Sequence, residues 1–177
     1  MSKSPELGVC YYPEHWPEKM WITDAQNMHK NGITWVRIAE FAWSRIEPSS
    51  GVFDWNWLDK IVDILGNNSL KIVMCTPTAT PPKWLVDQMP DMVAIDENGQ
   101  ARKFGSRRHY SFSHIGYQKE SQRITKAVAE RYGQNNFVKA WQTDNEFGCH
   151  ETTYSWCLSA LREFRICLLY TSDAADD

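Results

Sequence analysis

Residues 33–39 read Ile-Thr-Trp-Val-Arg-Ile-Ala and residues 70–75 read Leu-Lys-Ile-Val-Met-Cys, two short apolar runs rich in β-branched side chains. Such runs are typical of buried strands. Between them, apolar residues recur at the i, i+3, i+4, i+7 spacing of one helix face: Leu58, Ile61, Val62 and Leu65. The segment therefore predicts a strand–helix–strand unit, the building block of parallel sheets.

The same alternation extends in both directions along the chain. Further strands are predicted over 7–11 and 137–142. Three further helices are predicted from apolar residues at helical spacing. The first covers 21–31, the second ends at Gly133, and the third lies around 157–164. Their apolar positions are, in order, Trp21, Ile22, Ala25 and Met28; Ile124, Ala127, Val128 and Tyr132; and Cys157, Ala160, Leu161 and Phe164. Four strand–helix units fit either a doubly wound sheet or a (β/α)8 TIM barrel.

The barrel is the favoured α/β architecture. No Gly-x-Gly-x-x-Gly follows the first strand, so a dinucleotide-binding sheet loses support. Polar and aromatic clusters follow each strand, where a barrel carries its active site, at 11–16, 37–43, 76–82 and 144–146. A barrel needs about 250 residues, so 177 residues with about four βα units predict its N-terminal half.

Composition excludes several classes of function. The net charge of −3 gives no electrostatic case for nucleic acid or an anionic membrane. No apolar run is long enough for a transmembrane helix, and no signal peptide precedes the first strand. Five unclustered cysteines predict reduced thiols and a cytoplasmic location. Nine tryptophans in a 13% aromatic chain suit either sugar binding or a large core, and composition alone does not choose.

Glu146, after Asn145 at the end of the fourth strand, is the foremost catalytic candidate. Retaining glycoside hydrolysis needs two carboxyl groups about 5–5.5 Å apart, one acting as acid/base. Burial beside Trp141 and Phe147 is expected to keep such an acid protonated. Asn145 is suited to bind a sugar 2-hydroxyl. The alternative is a strand-end glutamate paired with a surface base.

Other polar residues leave alternatives open. Arg37, inside an apolar strand, either pairs with a carboxylate such as Glu40 or lines the barrel mouth and binds substrate, which is the favoured interpretation. The long connection of about 77–115 is predicted to be functional, with Arg107 or Arg108 as a site residue beside His109 and Tyr110. No short cysteine spacing supports a zinc site among Cys149, His150 and Cys157.

Six sequence motifs follow one another along the chain. They are Gly-Val-Cys-Tyr-Tyr-Pro-Glu-His-Trp at 8–16, Arg-Ile-Ala-Glu-Phe-Ala-Trp-Ser at 37–44, Glu-Pro at 47–48 with Gly-Val-Phe-Asp-Trp at 51–55, Thr-Pro-Thr-Ala-Thr-Pro-Pro-Lys-Trp-Leu at 76–85, Gly-Ser-Arg-Arg-His-Tyr at 105–110 and Trp-Gln-Thr-Asp-Asn-Glu-Phe-Gly at 141–148. In this order they resemble the motifs of the family-42 glycoside hydrolases, bacterial β-galactosidases with a barrel fold. The resemblance covers residues 7–165. It implies hydrolysis of terminal non-reducing β-D-galactose residues by a retaining double displacement, without a cofactor.

The resemblance also implies roles for single residues. Glu146 is the implied proton donor, and Arg37, Arg108 and Asn145 the implied galactose-binding residues. The nucleophilic glutamate falls in a later strand and is absent from this chain. Some members hold zinc through four cysteines, and the matching positions here contain one: Ser111, Ser155, Cys157 and Ala160. A metal is therefore not expected, whereas the full-length protein is expected to be a homo-oligomer, a trimer by resemblance.

Two further expectations concern the chain itself. Residues 1–165 are predicted to be barrel sequence, and residues 166–177 a non-native tail. The fragment alone is predicted to be inactive, because half the strands and the nucleophile are missing. The alternatives are a catalytically incompetent sugar-binding or interaction domain, and a retaining glycosidase of the same clan that acts on another sugar.

Overall fold

The structure, a computed structural model, describes residues 5–105, 108–149 and 154–173. Its sheet has four strands: β1 (Leu7–Cys10), β2 (Ile33–Ile38), β3 (Lys71–Cys75) and β4 (Val138–Gln142). All four predicted strands are confirmed to within a residue at each end. Most strand residues are apolar, as expected where helices pack against one face of a parallel sheet.

The strands pair in parallel and in chain order, β1-β2-β3-β4. Cys10 is opposite Arg37, Arg37 is opposite Val73, and Val73 is opposite Ala140. A doubly wound sheet reverses its strand order at a switch point, and no reversal occurs here. The order confirms the prediction of a barrel half and aligns the C-terminal ends of all four strands at one edge.

Six α-helices accompany the strands in the described residues. They are α1 (Glu18–Lys30), α2 (Trp43–Ile46), α3 (Asn56–Asn67), α4 (Lys83–Gln88), α5 (Ile115–Tyr132) and α6 (Leu158–Asp173). The apolar face predicted for α3 is fully buried. At its end, a Cβ on Gly66 would lie 2.0 Å from the ring of Phe137, so only glycine lets α3 pack this closely on the chain leading into β4.

The structure extends α5 and α6 well beyond their predicted limits, and α1 begins at Glu18, three residues before its predicted start. Helix α5 begins at Ile115, nine residues ahead of its first predicted apolar position, because its first turns carry polar side chains that give no periodic signal. Helix α6 continues to Asp173, through most of the segment predicted to be a non-native tail. Residues 174–177 lie outside the described part, and the origin of the tail stays a prediction. None of the helices in the described residues is long and apolar enough to cross a membrane.

The chain divides into two compact units. The first comprises 1–79 and 124–145 and contains the sheet, α1, α2 and α3. The second comprises 80–123 and 146–177 and contains α4 and α6. The long connection predicted over 77–115 is thus not a bare loop, since it includes α4 and antiparallel bridges between Val93 and Tyr110 and between Ile95 and Ala101.

An ion pair joins two helices of the first unit. The guanidinium of Arg131 in α5 makes two hydrogen bonds to the carboxylate of Asp59 in α3, one of them 2.8 Å long, and the Tyr132 hydroxyl donates to the same carboxylate at 2.8 Å. The hydrogen bonds from Arg131 and Tyr132 lower the pKa of Asp59 against the opposing effect of burial. The carboxylate therefore stabilises the fold only while it is ionised.

We predict that Asp59→Asn lowers the melting temperature at pH 7. A carboxyl whose pKa is lowered by folding contributes stability above its unfolded pKa, about 3.9, and loses it as the pH falls through the folded value. The difference between Asp59→Asn and the parent should accordingly shrink below about pH 4. Melting curves from pH 7 to pH 3 measure this, with exposed Asp63 of the same helix, changed to Asn, as control. A difference that is constant over the range would contradict the assignment.

Candidate active site

The C-terminal ends of β2 and β4 meet through a buried polar network. One Arg37 nitrogen lies 2.5 Å from Glu40, and another donates to the side-chain oxygen of Gln142 at 2.7 Å. The Tyr12 hydroxyl donates to Glu40 at 2.5 Å. The Glu40 side chain is only 2% exposed, and a buried carboxylate is tolerated only when it is paired and hydrogen-bonded. The structure shows the pair with Glu40 that the sequence offered as one interpretation, and substrate binding by Arg37 stays a prediction.

Gln142 connects Arg37 to Asn145. Its side-chain nitrogen donates to the Asn145 side-chain oxygen at 3.3 Å and to the backbone oxygen of Asp144 at 2.9 Å. Two of the predicted sugar-binding residues are therefore linked through one amide. Because the Asn145 oxygen accepts this bond, its NH₂ group is oriented by it and provides the donors.

Asp144 is buried and locked between the ends of β3 and β4. Its carboxylate accepts from the Thr78 hydroxyl at 2.8 Å, and its backbone N–H donates to the Thr76 hydroxyl at 2.8 Å. The same carboxylate accepts from the backbone N–H of Asn145 at 2.6 Å. Both threonines are buried as well. We call these three residues, Thr76, Thr78 and Asp144, the Thr–Asp clamp; it fixes the chain immediately before Glu146.

Two predicted site residues, Arg108 and Glu146, have left-handed backbone conformations. Within the described residues, five non-glycine positions have positive φ: Ala39, Ser69, Arg108, Asp144 and Glu146. Each costs about 1–2 kcal/mol relative to a right-handed conformation. Arg108, Asp144 and Glu146 have φ of 53°, 52° and 45°, and Ala39 lies between Arg37 and Glu40. Strain of this kind persists where the surrounding structure enforces it, and active sites are enriched in it.

Glu146 itself is exposed in this chain. Trp141 and Phe147, the rings expected to bury it, are 40% and 67% exposed. Phe147 instead lies against Phe112, with ring centroids 5.7 Å apart. These two residues therefore do not complete the apolar environment predicted for Glu146, because Phe147 lies largely in solvent and Glu146 itself is exposed.

Arg108 is buried in the second unit, where its guanidinium lies 5.3 Å from the Phe147 ring and 5.6 Å from the Phe112 ring. These distances fit cation–π contacts. The packing orients a cation beside the residue that follows Glu146. Arg107, the other arginine of the motif, lies outside the described residues, as does His150.

Glu14 was not predicted as a site residue. It follows β1, and both of its carboxyl oxygens are buried without a hydrogen-bond partner among the described residues. Burial raises the pKa of Glu14, against smaller opposing effects that include the charges of His15 and Arg45. A carboxyl whose ionisation is disfavoured by burial therefore follows β1 in the first unit.

The four positions that hold zinc in some family members do not fit a metal here. The Cys157 thiol donates to the Ser111 hydroxyl at 3.1 Å, and the Ser155 hydroxyl accepts backbone bonds from Ile95 and Cys157. One thiol and two hydroxyls, with Ala160 nearby in the same cavity wall, do not make a tetrahedral Zn²⁺ site. Hydrogen bonds of Ser111, Ser155 and Cys157 are found where the family's zinc ligands would lie.

Sequence reasoning missed the Thr–Asp clamp and Gln142 as functional residues. Thr78 and Asp144 are 66 positions apart, and only the register of β3 with β4 brings them together. The sole local signal was the placement of Thr76-Pro77-Thr78 and Thr143-Asp144 directly after two apolar strands.

A parallel sheet in chain order, with a glutamate two residues after the clamped Asp144 at a strand end, is the arrangement expected of barrel-type glycoside hydrolases. The comparison with known proteins agrees. The chain belongs to glycoside hydrolase family 42, whose model, described as beta-galactosidase, matches residues 10–173. The resemblance seen in the sequence is therefore confirmed.

Individual relatives extend the comparison. A β-galactosidase of Thermus thermophilus is 50% identical over 159 residues, which cover 90% of this chain and 25% of that protein. The crystal structure of a β-galactosidase from the psychrophilic Marinomonas ef1 is 53% identical, with a TM-score of 0.92 over 94% of this chain and 26% of that one. The β-galactosidase of the Antarctic haloarchaeon Halorubrum lacusprofundi is 49% identical, with a TM-score of 0.85 over 88% of this chain and 23% of that one. The chain thus spans about a quarter of the relatives it matches.

We predict that Thr78→Val destabilises the full-length protein by about 1–3 kcal/mol, because it leaves the buried Asp144 carboxylate without one of its donors. The matched control is Thr80→Val, two residues along. The Thr80 hydroxyl is buried without a hydrogen-bond partner among the described residues, so its removal should be neutral or stabilising. Denaturant midpoints of both variants provide the measurement, and equal destabilisation by both would refute the clamp.

Proposed function

We propose that the full-length protein hydrolyses terminal non-reducing β-D-galactose residues of β-D-galactosides, with retention at the anomeric carbon, and that Glu146 is its acid/base. The observation that carries the proposal is the position of Glu146 directly after the Thr–Asp clamp at the C-terminal end of β4. This is the end at which barrel enzymes place their catalytic groups. The names of the Thermus, Marinomonas and Halorubrum relatives support galactose as the sugar.

The chemistry follows from two carboxyl groups. In the first step, a carboxylate supplied outside these 177 residues attacks the anomeric carbon, while protonated Glu146 gives its proton to the departing glycosidic oxygen. The C–O bond to the leaving group breaks as the glycosyl–enzyme ester forms. In the second step, ionised Glu146 takes a proton from water, the water oxygen attacks the anomeric carbon, and the ester bond breaks. Galactose is released with its β configuration, and no cofactor is needed.

The remaining predicted residues bind and orient the sugar in this proposal. The Asn145 NH₂ group, held by Gln142, donates to the 2-hydroxyl, an interaction that strengthens in the oxocarbenium-like transition state. Arg37, fixed by Glu40, and Arg108, packed on two phenylalanine rings, bind other hydroxyls. Rigid support of this kind places donors before the reaction begins, which lowers the barrier.

The whole protein is proposed to be a cytoplasmic homo-oligomer, a trimer as in the family. The 177-residue chain alone is proposed to be inactive, because it spans about a quarter of its relatives' length and the proposed mechanism needs a second carboxylate beside Glu146.

We predict that Glu146→Gln in the full-length protein lowers kcat/KM for lactose by about 10²–10⁴-fold, the usual contribution of a general acid. An amide of the same size cannot protonate the departing oxygen. A dinitrophenyl galactoside has a leaving group that departs without protonation, so its first step should be nearly unaffected. Burst kinetics on this substrate, beside steady-state rates on lactose, measure the split.

The control is Glu120→Gln, a glutamate in α5 that pairs with Arg123 and lies outside the site. It should leave both rates unchanged, and the 177-residue chain serves as the negative control. Equal losses on lactose and on the dinitrophenyl substrate would remove the acid role from Glu146. If the folded full-length protein cleaves a different pyranoside and not galactosides, its substrate is another sugar. If it cleaves no glycoside, the protein is a non-catalytic binding domain.

A further inference from the structure

We infer that the second unit carries a groove that binds a neutral oligosaccharide, formed by Tyr154 and Trp156 on one side and the turn 96–102 on the other. The groove has a volume of about 660 Å³, within the range of small-ligand sites. Its remaining lining is polar and includes Glu97, Asn98 and Gln100. The groove is not one of the positions to which the proposed catalytic chemistry assigns a role.

Two aromatic rings face solvent at this groove. Tyr154 is 80% exposed and Trp156 is 56% exposed. Leaving two large rings in water is unfavourable, by about 25 cal/mol for each Å² of apolar surface that could be covered. Tyrosine and tryptophan combine an apolar face with a polar edge, and a pyranose ring likewise combines an apolar C–H face with a rim of hydroxyls.

The opposite wall of the groove is a rigid turn. The Asp96 carboxylate accepts from the backbone N–H groups of Asn98 and Gln100, at 2.9 and 2.8 Å, and the Asp96 N–H donates to the Gln100 carbonyl at 3.0 Å. Gly99 closes the turn with a φ of 76°, which glycine adopts without strain. The side chains of Asn98 and Gln100 are exposed on this fixed backbone.

Hydrogen bonds tie the aromatic segment to the turn. The backbone N–H of Trp156 donates to the backbone carbonyl of Ile95 at 2.8 Å, and the backbone N–H of Ile95 donates to the Ser155 hydroxyl at 3.2 Å. The rings and the polar turn are therefore parts of one preorganised surface, and preorganisation reduces the entropy lost on binding.

The chemistry of the lining selects the ligand class. An amide side chain both donates and accepts hydrogen bonds, as does each sugar hydroxyl. The charged groups at the groove, Asp96 and Glu97 with Arg102, give no positive excess, which disfavours a phosphate or another anion. A neutral ligand with apolar faces and many hydroxyls fits rings and amides together. Naming a β-galactosidic oligosaccharide rests on the proposed function.

The test is a calorimetric titration of the full-length Glu146→Gln protein, in which hydrolysis is slowed about 10²–10⁴-fold, with β-1,4-galactotetraose. Adding Trp156→Ala should weaken this binding about tenfold, or abolish one of two binding events, since an aromatic stack contributes on the order of 1 kcal/mol or more. Galactose alone, which fills only the catalytic subsite, should bind within twofold of the parent. Trp156→Phe should recover most of the tetraose affinity.

Leu158→Ala is the matched control, because Leu158 is 86% exposed, two residues from Trp156, and outside the groove. Gln100→Ala tests the opposite wall without disturbing a packed side chain and should also weaken the tetraose alone. Unchanged tetraose binding in both Trp156→Ala and Gln100→Ala overturns the groove, even if the enzyme hydrolyses galactosides. If the groove variants bind the tetraose more weakly but the protein with Glu146 intact hydrolyses no galactoside, the groove is supported and the proposed function is overturned.

Discussion

Parallel pairing of four strands in chain order is the constraint on which the rest of the structure depends. It puts every C-terminal strand end at one edge of the sheet. Arg37 at the end of β2 thereby meets Gln142 at the end of β4, and Thr78 after β3 meets Asp144 after β4. A one-residue shift in the register of β4 would turn its side chains to the opposite face of the sheet and break both contacts.

The second constraint is the burial of polar groups at that edge. Glu40, Asp144 and Asn145 are buried, and each would be costly without a partner. The ion pair with Arg37 and the Thr–Asp clamp meet this need, and the clamp holds Asp144, whose backbone is left-handed with a φ of 52°. The clamp thereby gives a defined position to Asp144, two residues before Glu146 in the chain.

The strands and most helices could be predicted because their signals are local. The β-branched run of β2 and the apolar face of α3 can be recognised from the sequence of each segment alone, without any long-range contact. The start of α5 was missed because its polar first turns lack periodicity, and the clamp was missed because its partners are far apart in sequence. For Arg37, the sequence offered two partners, and only the geometry showed the pair with Glu40. The roles of Glu146, Arg37, Arg108 and Asn145 in catalysis came from motifs and stay predictions.

A crystal structure of the full-length protein, with Glu146→Gln, bound to an intact β-galactoside tests the acid/base role of Glu146 most directly. We expect the side chain at position 146 to lie within about 3.2 Å of the glycosidic oxygen, with the Asn145 NH₂ group at the 2-hydroxyl. We also expect a second carboxylate, from a part of the full-length protein outside these 177 residues, to face the anomeric carbon about 5–5.5 Å from position 146. A well-ordered galactoside whose glycosidic oxygen contacts a different acid would contradict this role for Glu146.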